Sequence, residues 1–203
     1  MNKVFSKALM AVAALGAVAA ANAITFSNVS ITGPSQLLGT LGTDHFFTPG
    51  ATDIDFTFNK ALVGDAQPLR FGTINITYEA KSPTAMVLNE LKLSATTLLL
   101  GSGHLRVVET IEDVVNPGVI ASFSKDYYAG TFAIAENIVF SRQSTHIKVK
   151  KTIFMDAFDT QALDLAGVGL VEQNIKLVPE PGTMMAIGLG IAGLAARRRR
   201  NRA

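Results

Sequence analysis

The stretch Asp53-Ile54-Asp55-Phe56-Thr57-Phe58-Asn59 sets an apolar side chain at every second position between polar neighbours. A period of two marks a half-buried β-strand, whose side chains point alternately to opposite faces. Thr73 to Glu79 repeats the pattern, with Ile74, Ile76 and Tyr78 against Asn75 and Thr77. His146 to Lys150 sets Ile147 and Val149 between basic residues, and Val171 to Leu177 sets Val171, Ile175 and Leu177 against Glu172, Asn174 and Lys176. Further strands are expected at Ile24 to Ile31, Leu69 to Phe71, Leu105 to Ile111, Gly118 to Ser124 and Thr131 to Ser141. Turn chemistry falls between them at Gly33-Pro34, Pro49-Gly50, Gly64-Asp65, Ser82-Pro83, Gly101-Ser102-Gly103, Asn116-Pro117-Gly118 and Gly130. About nine short strands between frequent turns predict an all-β domain, an antiparallel β-sandwich or jelly-roll-like architecture.

Three places test that reading. Met86 to Leu100 reads as a strand through Val87, Leu91 and Leu93, or as a helix through Leu88, Leu91 and Leu98. Asp159 to Ala166 reads as one helical turn capped by Asp159. The inward parity changes between Leu69, Phe71 and Ile74, Ile76, which predicts a bulge near Gly72.

The chain has 203 residues, 48% apolar and 17% charged, enough for one folded domain with processing segments. It has no cysteine, which removes disulfide scaffolds, thiol catalysis, zinc ribbons and iron–sulfur clusters. The pI of 8.9 suggests a nucleic-acid partner, but the charge is not where such a partner needs it. Of 18 Lys and Arg residues, seven lie at the ends: Lys3, Lys7, Arg197, Arg198, Arg199, Arg200 and Arg202. The remaining eleven face fifteen acidic residues between Ile24 and Val178, so no nucleic-acid face is expected.

Residues 1–23 read as a signal peptide. Lys3 and Lys7 precede the apolar run Ala8 to Ala20, and Ala21-Asn22-Ala23 supplies the small-x-small site that a signal peptidase accepts. Export with a mature chain starting at Ile24 is the expectation, leaving residues 24–178 as the folded domain. Residues 179–203 form a different segment. The uncharged run Met184 to Ala196 reaches about 20 Å as a helix, short of the ~30 Å hydrocarbon thickness. Arg197, Arg198, Arg199 and Arg200 then act as a stop-transfer signal that stays cytoplasmic. The expected outline is a domain flanked by an N-terminal signal helix and a short C-terminal hydrophobic helix.

Pro179-Glu180-Pro181, the short Gly/Ala-rich hydrophobic run and the arginine cluster resemble the PEP-CTERM sorting domain of Gram-negative bacteria. Such tails have also been labelled an ice-binding protein C-terminal domain. The resemblance implies an exosortase partner, a transient inner-membrane intermediate, cleavage near the motif, and release to the cell surface or extracellular polymer. It says nothing about residues 24–178. Gly188-Leu189-Gly190-Ile191-Ala192-Gly193 spells a dinucleotide fingerprint but lacks the following βα unit, so no cofactor is expected.

Candidate chemistry in the domain is sparse. Asp53, Asp55, Thr57 and Asn59 resemble the opening of a calcium loop, but Phe58 and Gly64 stand where an EF-hand needs glycine and glutamate. Asp156, Asp159 and Asp164 form an acidic group in which calcium is conceivable. His45, His104 and His146 have no local metal-binding partner. His45 follows Asp44 in an expected loop, and His104 follows an expected hairpin turn. Tyr127-Tyr128 is the aromatic pair that a turn could expose to a sugar ring, with one ring expected in the core. The reading is a non-enzymatic exported surface or matrix protein. Two alternatives are a carbohydrate-binding module acting on extracellular polysaccharide and a secreted hydrolase. Solvent-facing aromatics would favour the first, and converging carboxylates or His45 with a serine the second.

Overall fold

A computed structural model describes residues 23–93, 98–130, 134–158 and 163–178. The strands are β1 (Thr25–Thr32), β2 (His45–Pro49), β3 (Asp53–Phe58), β4 (Leu62–Gly64), β5 (Phe71–Leu93) and β6 (Leu98–Leu100). After them come β7 (His104–Asp113), β8 (Gly118–Tyr128), β9 (Ile134–Asp156), β10 (Leu165–Gly167) and β11 (Leu170–Leu177). A single turn of helix, α1 (Ser35–Leu38), follows β1. Among the described residues no helix is long and apolar enough to cross a membrane.

Eight strands form one antiparallel sheet in the order β2-β3-β11-β5-β9-β7-β8, with β1 also on β5. The sheet becomes a sandwich because β5 and β9, each 23 residues long, run through both layers. Residues 71–81 of β5 pair with 146–156 of β9, and residues 88–93 pair with 134–139. The first ladder carries β1 and β7 with β8; the second carries β11, β3 and β2. Each long strand turns its corner on a serine. The Ser82 hydroxyl accepts from the Thr84 N–H at 3.2 Å, and that of Ser144 accepts from the His146 N–H at 3.2 Å. Such local bonds replace ladder bonds where the pairing breaks.

The core lies between the layers. Ile54, Phe56, Leu91 and Val171 from one layer and Ile76, Tyr78, Val107 and Val149 from the other are fully buried. The Phe56 and Tyr78 rings lie 5.8 Å apart, and the Tyr78 hydroxyl donates to Gln173 Oε1 at 3.0 Å. A short sheet, β4-β10-β6, packs near the start of β5 and β7 and the end of β9.

Several expectations need correction. Ser82-Pro83 is no turn between strands but the corner inside β5, where irregular pairing tolerates the missing proline N–H. The ambiguous stretch 86–100 is strand where described, β5 to Leu93 and β6 from Leu98. Asp159 lies outside the described residues, but Leu165–Gly167 is a strand rather than the end of a helical turn. His45 opens β2, ahead of Phe46 and Phe47, rather than lying in a loop. The turn before His104 is not a hairpin, since β6 pairs with β10 while β7 pairs with β8 and β9.

Gly72 is no bulge either: pairing is unbroken from Phe71 to Lys81, with Gly72 facing inward and Phe71 outward. The inward place is filled by Leu37 from α1, and a Cβ on Gly72 would lie 2.3 Å from its Cδ1. The parity change occurs instead between Met86 and Leu88, where the register with β9 shifts. That shift turns Asn89, Leu91 and Leu93 inward.

Candidate functional site

The outer face of the first ladder has a row of side chains set in register across four strands. Phe71 on β5 pairs with Asp156 on β9, Asp156 with His104 on β7, and His104 with Tyr128 on β8. The next row brings Phe154 beside Arg106 and Arg106 beside Asp126. At about 4.8 Å between strands the first row spans roughly 14 Å, longer than one sugar ring.

His104 is the centre of this surface. Gly103 places it by letting the chain pass tightly under β10, where a Cβ would lie 2.0 Å from the Leu165 carbonyl oxygen. Its Nδ1 meets Asp156 Oδ2 at 2.8 Å and its Nε2 meets Asp126 Oδ1 at 2.9 Å. Two carboxylate acceptors can both be satisfied only by an imidazolium that donates from each nitrogen. Burial works against the charged ring, yet the bonds to Asp156 and Asp126 and their charges outweigh it and raise the pKa. The ring also stacks on Tyr128, with centroids 4.9 Å apart and planes 23° apart. His104 therefore fixes the Tyr128 ring while leaving it 62% exposed.

A raised histidine pKa has a definite sign. The folded state holds the proton more tightly, so this contribution is full below the unfolded value of 6.5 and is lost as pH rises through the folded value. His104→Gln should therefore flatten the fall in melting temperature between about pH 6 and pH 9. Equal slopes in the wild type and variant would contradict the clamp.

Further aromatics flank the clamp. Phe71 and Phe158 are 65% and 60% exposed and pair at 6.0 Å, and Phe154 is 40% exposed. Tyr127, by contrast, is an inward residue. Its hydroxyl donates to Glu136 Oε1 at 3.2 Å, and Lys125 Nζ lies 5.5 Å from its ring centroid. Burial, then the charge and hydrogen bond of Glu136, push its phenol well above the ordinary range. Of the Tyr127-Tyr128 pair, only Tyr128 is available to a ligand.

Other sequence candidates are dispersed. His45 is buried and its Nδ1 meets the Leu38 carbonyl at 2.9 Å, while His146 Nε2 meets Glu79 Oε2 at 3.0 Å. Asp164 accepts the Ser102 hydroxyl at 2.9 Å from either carboxylate oxygen and is fully buried, apart from the Asp156 clamp. Asp53, Asp55 and Thr57 face away from the buried side of β3. No group of three or more metal-binding side chains occurs among the described residues. Ala23 is exposed, whereas Ile24 is buried and donates its N–H to Ala51 at 2.8 Å. Ala21, Pro179, Glu180, Pro181 and Arg197 to Arg200 lie outside the described residues.

The fold defines the class, an antiparallel β-sandwich. Residues 177–200 match the family model of the PEP-CTERM protein-sorting motif, so the chain carries that motif where its residues indicated. No curated protein matches the chain. Among solved structures it is similar to a family 61 carbohydrate-binding module in complex with β-1,4-galactotriose, at 10% identity and TM-score 0.38, covering 77% of this chain and 87% of that one. It is similar also to a family 11 carbohydrate-binding module from a Clostridium thermocellum cellulase, at 11% identity and TM-score 0.28, covering 78% and 88%. A glycosylation-associated protein complex from Streptococcus agalactiae shows 10% identity and TM-score 0.31 over 72% of this chain and 25% of that one.

Proposed function

We propose that the chain is an exported, non-enzymatic surface or matrix protein, sorted through its C-terminal motif, whose β-sandwich binds extracellular polysaccharide. Export and handling by an exosortase are supported by the motif at residues 177–200. Binding is supported by one observation, the aromatic end of the outer sheet face. There Tyr128 is held on a clamped imidazolium at one end of the row, with exposed Phe154 two strands away and the Phe71–Phe158 pair at the other end. Rigid rings lose little entropy when a sugar packs on them, and the flanking Arg106, Asp126 and Asp156 offer donors and acceptors to hydroxyls. A non-enzymatic role is favoured because the carboxylates nearest His104 engage its ring and the Ser102 hydroxyl turns to Asp164.

A glycan array followed by affinity electrophoresis tests this reading. Tyr128→Ala and Phe154→Ala should each weaken retention by about tenfold, equivalent to ~1.4 kcal/mol, while Tyr127→Phe changes it little. Failure of the folded protein to bind any glycan, or equal loss in all three variants, would remove the proposal.

A further inference from the structure

Three polar side chains meet in the core without serving the outer surface. Asn89, Glu109 and Lys151 are buried to 0%, 0% and 1% exposure. Glu109 and Lys151 are register partners on β7 and β9, and Lys151 Nζ contacts Glu109 Oε2 in an ion pair whose side chains are wholly inaccessible. Asn89 arrives from the opposite layer, on the second half of β5, and its Nδ2 donates to Glu109 Oε1 at 2.5 Å. One carboxylate thus holds an amine on one oxygen and a carboxamide on the other. The Asn89 amide also donates to Gln173 Oε1 at 2.9 Å, while its own Oδ1 is buried without a hydrogen-bond partner.

As a stabilising device this arrangement is poor. A buried ion pair seldom recovers the cost of desolvating both charges, and an unpaired buried carbonyl adds to that cost. As a reaction centre it is complete. It contains a nucleophile, an acyl group with a leaving amide nitrogen, and a carboxylate touching both.

We propose that Lys151 and Asn89 become joined by an intramolecular amide bond after folding, with Glu109 carrying the proton from nucleophile to leaving group. Glu109 takes a proton from the Lys151 ammonium, leaving an uncharged amine. The Nζ lone pair attacks Asn89 Cγ, and the Nζ–Cγ bond forms. The Cγ–Nδ2 bond then breaks as Glu109 delivers its proton to Nδ2, so ammonia departs. Nζ keeps one hydrogen and passes the other to Glu109, which releases it with the ammonia to solvent. One carboxamide is exchanged for another, and nothing is oxidised or reduced. Burial lowers the Lys151 pKa, against the charge and hydrogen bond of Glu109, which favours the uncharged amine. The dry core protects the product from hydrolysis, and fixed strands hold the reacting groups together.

Peptide mapping of the purified full chain tests the bond. Trypsin should release residues 82–92 joined to residues 151–176 as one branched peptide, because an acylated Lys151 is not cleaved. Its mass should be about 17 Da below the sum of the two peptides, the loss of one ammonia. Asn89→Asp should give the same branched product with loss of about 18 Da of water from its own sequence mass. Lys151→Met and Glu109→Gln should give linear peptides only, and Lys151→Met should migrate more slowly on a denaturing gel because the loop from residue 89 to 151 is open. These variants are secondary, since either could impair folding. The deciding measurement is the wild type alone. Folded wild-type protein that yields residues 82–92 as a linear peptide, with cleavage after Lys151, would overturn the proposal.

Discussion

Replacing Phe56 by alanine is expected to cost the domain about 3 to 5 kcal/mol, the largest effect of any single side chain considered. Phe56 is fully buried, and its ring lies 5.8 Å from that of Tyr78 and 6.4 Å from that of Phe47. Removing it takes away apolar burial and leaves a void between rigid strands that cannot close over it. Natural domains have total stabilities of about 5 to 15 kcal/mol, so the variant should be marginal at room temperature. Asp55, the next residue, is the control. It faces Glu172 across the ladder, and its carboxyl pKa is raised by partial burial and then by the charges of Glu172 and Asp53. Its charge therefore contributes no stability at neutral pH, and Asp55→Ala should change stability by about 0.5 kcal/mol or less, in either direction. Urea unfolding of residues 24–178 measures both. Comparable losses would mean that the alternation of β3 does not set the core.

The second large effect concerns the tail. In a host with an exosortase, surface material is expected to begin at Ile24 and to lack Arg197 to Ala203. As a helix, the hydrophobic run from Met184 to Ala196 would be about 10 Å short of a bilayer, and it holds three glycines, so its sequence suits a transient stop rather than a lasting anchor. By the positive-inside rule the arginines are expected to keep its end inside while the domain is outside. A proline on either side of Glu180 removes a backbone donor there, so the sequence favours access by a membrane protease. Glu180→Ala should leave an uncleaved, membrane-associated form. Intact-mass analysis reads both outcomes, and a full arginine tail on mature surface protein would restore the simple anchor. Starting at Ile24 does not disturb the sandwich, because the Ile24 side chain is already in the core.

Local alternation made most strands legible. β3, β7 and β11 lie where period two places them, since each buries one face only. The same parity also held the signal for the buried polar cluster. Glu109 stands between Val107 and Ile111, Lys151 between Val149 and Ile153, and Gln173 between Val171 and Ile175, all on the inward face. A charged residue on a buried parity announces a partner in the core, but reading each run only to its last apolar residue hides it. Asn89 was not legible at all, because its inward direction depends on the register shift at Met86 to Leu88. Nor was the continuity of β5 and β9, since a serine corner inside a strand spells the same residues as a turn. The His104 clamp was equally hidden. Asp126 and Asp156 reach it from 22 and 52 residues away, and only pairing between strands sets them beside one ring.

The place of β11 has a mechanical consequence. It is the last described strand, yet it lies inside its layer, paired with β3 along Leu170–Asn174 and with β5 along Val171–Leu177. Val178 adds a further bond, its N–H donating to the Ala85 carbonyl at 2.8 Å. A tether pulling on the chain beyond Val178 would therefore draw along β11, at right angles to the hydrogen bonds on both flanks. Bonds loaded side by side in shear must fail together, whereas an edge hairpin pulled sideways unzips one rung at a time. A cell held through this end would tug on a strand gripped along both sides.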